Sequence, residues 1–241
     1  MAERGVIYTI WGNGNKYETA LERSRRSLAA IHPELPVEVI RRPAASGSRG
    51  LAEKSHMFAA SPFRETLYLD IDTVVLGRLD FGFEKAKNFG LACCINECPW
   101  ARRYSGLSER RSAIEYNTGV LFFTELARPV FDTWEQLTPK LDSSMQLVRD
   151  GQLARMAFND QGAFAAAVEQ CKFNPFVLPL NWNFRPDYYY SFFGPIVIWH
   201  EYADVPPGII DLNRYYERWD SVIQFHFAAP AAPAPPRSGT V

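Results

Sequence analysis

Apolar and polar positions fall in short blocks along the first half of the chain. Gly5 to Trp11 (GVIYTIW) is apolar and rich in β-formers, and it runs straight into Gly12-Asn13-Gly14-Asn15. That pattern predicts a buried strand ending in a turn. Tyr17, Leu21, Leu28 and Ile31 recur among charges and predict an amphipathic helix, stopped by His32-Pro33 and Pro36. Val37 to Ile40 predicts a short strand, Arg41 to Gly50 a polar loop, and Leu51 to Ala60 a helix carrying Lys54 and ending before Pro62. Glu65 to Leu76 (ETLYLDIDTVVL) is the strongest strand pattern in the chain. This β-α-β-α-β order predicts an α/β fold with a mostly parallel central sheet flanked by helices. Further strands are expected at Phe89 to Ile95, Gly119 to Phe123 and Ile196 to Trp199, with helices at Ala127 to Leu137 and Asn159 to Cys171. No internal repeat divides the chain, so 1–227 reads as a single domain. The last stretch, 228–241 (AAPAAPAPPRSGTV), has four prolines and no core-forming pattern, and reads as a disordered tail.

The chemistry concentrates in the strongest strand. Alternation puts Leu67, Leu69 and Ile71 on one face, and Thr66, Tyr68, Asp70 and Asp72 on the other. Asp70 and Asp72 would then point the same way, about 6–7 Å apart. Two such carboxylates repel each other and lose hydration beside apolar residues, unless a shared divalent cation offsets both costs. All-oxygen ligands favour Mg²⁺, Mn²⁺ or Ca²⁺ over zinc. The other reading is a pair of ordinary surface or capping carboxylates, since a bare Asp-x-Asp is common. The strand end is also where open α/β sheets bind ligands.

Composition removes several alternatives. Lys and Arg number 26 against 27 Asp and Glu, a net charge of −1, which leaves no electrostatic footprint for nucleic acid or an anionic membrane. With 47% hydrophobic and 22% charged residues, bulk disorder is excluded. Aromatics make up 14%, so large rings must be buried or line a cleft. No apolar run approaches the roughly 18 residues that span a bilayer, and the N-terminus shows no signal-peptide pattern. Cys93, Cys94, Cys98 and Cys171 lack zinc-site spacing, so a cytoplasmic protein with reduced, mostly buried thiols is expected.

LYLDIDTVVL, with a lysine on the preceding helix, resembles the DxD strand of GT-A-fold glycosyltransferases, a Rossmann-type architecture. The likeness is to the retaining family 8 enzymes of the glycogenin, galactinol-synthase and bacterial galactosyltransferase type. EKSHMFAASPFRETLYLDID, EYNTGVLFF, NDQGAF, LPLNWNF and IVIWHEY resemble further family segments in the family's order, over about Val6 to Tyr202. The resemblance implies transfer of a sugar, with retention, from a nucleotide diphosphate sugar, most simply a UDP-sugar, to a carbohydrate, lipid or protein acceptor. It implies Mn²⁺ or Mg²⁺ held by Asp70, Asp72 and His200. Thr9, Ile10, Tyr17, Lys54, Asp70, Asn117 and Gly119 would bind the donor, and Asp160 and Gln161 would act at the sugar. Gly119 would let backbone approach the sugar closely. Gln161 is a weak nucleophile, so a front-side displacement assisted by the leaving group is easier to defend than a covalent intermediate. The family's glycine and lysine after its metal histidine have no counterpart here. Arg185, Arg49 and Arg102 are the candidate cations for the diphosphate in their place. The run Trp182, Phe184, Tyr188, Tyr189, Tyr190, Phe192 and Phe193 reads either as an acceptor platform or as a core edge.

Two rival readings stand beside this one. Asp70-Ile71-Asp72-Thr73-Val74 also fits the DxDxT/V string of haloacid-dehalogenase-type phosphohydrolases, with Asp70 as nucleophile and Asp72 as acid/base. That motif normally ends a first strand, however, and two βα units precede it here. A sugar-nucleotide-binding protein with a decayed catalytic site is the third reading.

Overall fold

The computed structural model describes residues 3–11, 14–42, 49–97, 114–149, 152–156, 158–189, 191–215 and 224–226. β1 (Arg4–Trp11) leads into α1 (Asn15–Ile31) and β2 (Val37–Arg42). Next come α2 (Arg49–Ala52), a 3-10 turn (Glu53–His56), α3 (Met57–Ala60), β3 (Glu65–Leu69) and β4 (Thr73–Val75). α4 (Asp80–Phe89), β5 (Leu91–Ile95), β6 (Tyr116–Thr124) and α5 (Arg128–Leu137) follow. A hairpin of β7 (Met145–Arg149) and β8 (Gln152–Met156) precedes α6 (Asp160–Gln170), β9 (Phe176–Val177) and β10 (Ser191–Phe193). β11 (Ile198–His200), α7 (Pro207–Tyr215) and β12 (Gln224–His226) complete the order.

Six strands form the central sheet in the order β2-β1-β3-β6-β5-β9. β6 runs antiparallel to both of its neighbours, and the other pairings are parallel, so the sheet is mostly parallel as the βα alternation predicts. Period-2 alternation sends Val6, Tyr8, Ile10, Leu67 and Leu69 to one face, against Leu21 and Leu28 of α1 and Phe83 and Ala86 of α4. Ile7, Tyr68, Leu121 and Phe123 face the opposite way, onto Val130, Phe131 and Trp134 of α5 and Ala163, Phe164 and Ala167 of α6. The product is a helix–sheet–helix sandwich. α6 is buried along Asp160–Val168, and its run of alanines lets α5 and the sheet pack close against it. A third, smaller cluster of Val74, Phe184, Ile196, Trp199 and Ile209 lies where β4 pairs with β11.

Several elements differ from the sequence reading. The 51–60 helix is broken into α2, the 3-10 turn and α3. The 65–76 strand is two strands: β3 stops at Leu69, Asp70-Ile71-Asp72 turn, and β4 leaves the main sheet to pair with β11. The late strand starts at Ile198 rather than Ile196. α4 was not expected, although Phe83 and Ala86 are spaced for one apolar face and Gly90, at φ +81°, caps its end. In the aromatic run, Trp182 and Phe184 are core, with the Phe184 ring 4.8 Å from Phe192 and 5.7 Å from Trp199. Tyr188 is exposed and carries the Arg185 guanidinium over its ring. Cys93 and Cys94 are buried free thiols. Tyr190, Cys98 and the 228–241 tail lie outside the described residues.

Candidate functional site

The site sits where β3 and β11 end. Asp70 continues the Tyr68 face of β3, and its N–H donates to the Gly119 carbonyl of β6 at 2.8 Å. The chain then turns, with the Thr73 N–H bonded to the Asp70 carbonyl at 3.2 Å, and this swings Asp72 toward β11. A chain of buried hydroxyls pins the turn. Tyr8 Oη and Ser24 Oγ are 3.0 Å apart, as are Ser24 Oγ and Thr73 Oγ1, and Thr73 Oγ1 donates to the Asp70 carbonyl at 2.8 Å. β11 pairs His200 with Thr73, and the Glu201 N–H donates to the Asp72 carbonyl at 2.9 Å. The two acids therefore converge through a turn and a second strand, not through alternation along one.

The carboxylates of Asp70 and Asp72 and the imidazole of His200 each offer a ligand atom, all within 4.8 Å of one another. His200 Nε2 is 3.3 Å from Asp72 Oδ1 and 3.7 Å from Asp70 Oδ2. Its Nδ1 lies 2.7 Å from the Asn183 side-chain oxygen. With Nδ1–H donating there, Nε2 presents its lone pair to the acids, the arrangement that a metal-bound histidine uses. Burial disfavours charge on His200, but Asp72 and then Asp70 outweigh it and raise its pKa above the ordinary value. Burial likewise pushes Asp72 up, and His200 more than reverses this, to about 2. Two carboxylates and one imidazole form a hard oxygen set with a single nitrogen, which suits Mn²⁺ or Mg²⁺. The backbone is shaped for this cluster. A Cβ on Gly119 would overlap His200 Cε1 and lie 2.8 Å from Asp70 Oδ2. Gly119 thus makes room for two members of the cluster, a nearer reason for glycine than the close approach to a sugar read from the sequence.

Lys54 and Asp160 extend the cluster on its buried side. Lys54 Nζ is 2.8 Å from the Asp70 carboxylate and 3.3 Å from Asp160 Oδ2, with the side chain 5% exposed. Burial works against the ammonium, but Asp160 and Asp70 more than compensate, and its pKa is raised. Tyr68 Oη donates to Asp70 Oδ1 at 2.8 Å, and Thr118 Oγ1 to Asp160 Oδ2. Asp160 opens α6, but the cap is Asn159, whose side chain accepts from the Gln161 N–H at 2.8 Å. Asp160 is therefore free of capping and spends its charge on Lys54. Among the described residues, Gln161 Oε1 is buried without a hydrogen-bond partner. The Asn117 side-chain oxygen accepts from the Gly119 N–H at 2.9 Å.

The remaining residues named from the sequence lie around this centre unevenly. Thr9 is buried near the end of β1, and Ile10 is 1% exposed in the core, so it offers a ligand only its backbone. Tyr17 is exposed in the first turn of α1. Arg185 pairs with Glu97 at 3.3 Å, and its charge acts on His200. The Arg49 side chain and Arg102 lie outside the described residues. Sequence reasoning missed Asn183, Tyr68, Thr118, Ser24 and Thr73, the polar side chains that hold the acids and the histidine. For Asn183, Tyr68, Thr118 and Thr73, a hydroxyl or amide in or next to a named motif was the available signal; Ser24 had none.

No family model matches this sequence, and no curated protein does. Solved structures share its fold. Mouse xyloside xylosyltransferase 1 superposes with a TM-score of 0.56 at 15% identity, over 85% of this chain and 100% of its own. A glycosyltransferase involved in the glycosylation of the major capsid of PBCV-1 gives 0.54 at 12% identity, over 88% and 99%. The glycosyltransferase GlyE of Streptococcus pneumoniae TIGR4 gives 0.53 at 16% identity, over 91% of this chain and 61% of that one. The chain has the GT-A fold of these glycosyltransferases.

Proposed function

We propose that this protein is a metal-dependent glycosyltransferase that takes a sugar from a nucleotide diphosphate sugar, a UDP-sugar, and passes it with retention to an acceptor. The observation that carries the proposal is the meeting of Asp70, Asp72 and His200 at the ends of two strands, around a glycine whose Cβ would fill the space. Those residues would hold Mn²⁺ or Mg²⁺. The ion supplies Lewis-acid stabilisation of the departing diphosphate.

The chain's own groups divide the rest of the work. Thr9, the backbone of Ile10 and Tyr17 line the end of β1 and the start of α1, where the nucleoside would lie. Lys54 and Asp160 form a rigid buried pair beside Asp70, and Asp160 keeps an acceptor oxygen for sugar hydroxyls. Asn117, fixed by its bond to the Gly119 N–H, retains amide donors for the same purpose. The unpartnered Gln161 Oε1 is suited to a developing positive charge at the anomeric carbon. The bond from that carbon to the diphosphate oxygen breaks with its electron pair leaving on the oxygen. The acceptor oxygen bonds to the carbon from the same face, and its proton passes to the departing diphosphate.

Calorimetry of UDP with and without Mn²⁺ tests this reading. Mn²⁺ should tighten UDP binding strongly in wild type and have no effect in Asp72→Ala. Equal UDP affinity with and without the ion in wild type sinks the proposal. A thermal-shift series of nucleotide sugars with Mn²⁺ would then name the donor. Release of phosphate from a generic phosphomonoester would instead favour the phosphohydrolase reading.

A further inference from the structure

Charge around the proposed donor site is incomplete without another cation. Asp70, Asp72 and Asp160 bring three carboxylates to one place, and the Lys54 ammonium offsets one of them. A divalent ion would neutralise the remaining two and leave nothing for the diphosphate of a donor. Among the described residues, two nearby arginines are already committed. Arg185 is paired with Glu97, whose side chain is 4% exposed. Arg23 spends its guanidinium on the carbonyls of Glu201, Tyr202 and Ala203, at 2.5, 2.6 and 3.1 Å, and on Asp204. Those bonds fasten the segment after His200 to α1.

Lys16 is different. It is exposed in the first turn of α1, where a positive charge opposes the helix dipole, and it has no carboxylate partner among the described residues. Its Nζ rests 4.1 Å from the centre of the Tyr202 ring. Tyr202 follows the metal-site histidine by two residues, and its phenol lies in the field of Asp72, Tyr17 and Asp70. The ammonium is thus held at the rim of the acid cluster by a contact that a phosphate oxygen can outbid, since a charge-assisted hydrogen bond exceeds an exposed cation–π contact.

We propose that Lys16 is the cation that binds the diphosphate of the donor, moving from the Tyr202 ring to a phosphate oxygen when the nucleotide enters. This rests on the donor reading above. It adds a residue to that reading and accounts for a lysine placed against its helix dipole.

The test is calorimetry of uridine and UDP with saturating Mn²⁺ on wild type, Lys16→Gln and Lys16→Arg. Lys16→Gln should weaken UDP about tenfold and leave uridine unchanged, and Lys16→Arg should recover most of the loss. UDP affinity within about twofold of wild type in Lys16→Gln overturns this inference alone. Equal losses for UDP and uridine also overturn it, since Lys16 would then shape the nucleoside pocket. Wild type that fails to bind UDP with Mn²⁺ overturns the donor reading and this one together.

Discussion

Where β3 begins, Glu65 faces Arg4 at 2.9 Å and Lys87 at 3.8 Å, Arg4 also reaches Asp80 at 3.7 Å, and its guanidinium lies over the Phe83 ring. Where β3 finishes, Asp70 shares one buried lysine with Asp160, and Asp70 and Asp72 share one histidine. The first end has matched charges, and each helps the fold directly. The second has an excess of carboxylate in half-buried surroundings, which folding alone gives no reason to keep. Charge that the chain itself leaves unbalanced points to a ligand, and charge that it balances points to architecture.

Substitutions at the two ends should separate these roles. Asp72→Asn should lower Mn²⁺-dependent transfer about a thousandfold, because several kcal/mol of charge stabilisation pass through the metal. Its melting temperature should stay near that of wild type. Activity retained in this variant would erase the distinction between the ends. Gly119→Ala comes next. Its Cβ collides with His200 and Asp70, so denaturant unfolding should show a loss of about 1–3 kcal/mol, with weaker Mn²⁺ binding by calorimetry. At the opposite end, Glu65→Gln should cost about 1 kcal/mol of stability and leave Mn²⁺ affinity unchanged. A change in metal binding there would show that the two ends communicate.

The smallest effect is in pH. Asp72 holds the His200 pKa above its ordinary value. The bound proton therefore stabilises the metal-free fold below that ordinary value, and the contribution fades as pH rises through the raised one. On the proposed reading Mn²⁺ would compete for the same nitrogen, so its affinity should rise over the same range. The gap in melting temperature between metal-free wild type and His200→Gln should shrink as pH rises above the ordinary histidine value of about 6.5. A gap that widens would reverse the assignment.

Much of this architecture is legible in the amino-acid pattern. Alternation correctly sends Leu67 and Leu69 to one face and Tyr68 to the other, and the order of β and α patterns specifies the layered fold. The turn at Asp70-Ile71-Asp72 is not legible. TVVL has strand propensity whether or not it stays in the same sheet, and only β11, far downstream, gives it a partner. Lys54 stands out from its motif, but its burial between two acids depends on α6 packing under the 3-10 turn. Asn183 and Thr118 escape notice because an amide or hydroxyl acquires a role only from its neighbour in space. The short pairs β7–β8 and β10–β12 carry too few residues for periodicity to be read.

The pairing of β4 with β11 has a consequence for biosynthesis. Asp70 and Asp72 leave the ribosome long before His200, and domains begin to fold as they emerge. Until β11 is made, Asp70 and Asp72 lack the imidazole that faces both of them. On the proposed reading, a nascent chain would carry an unfinished chelator until His200 emerges.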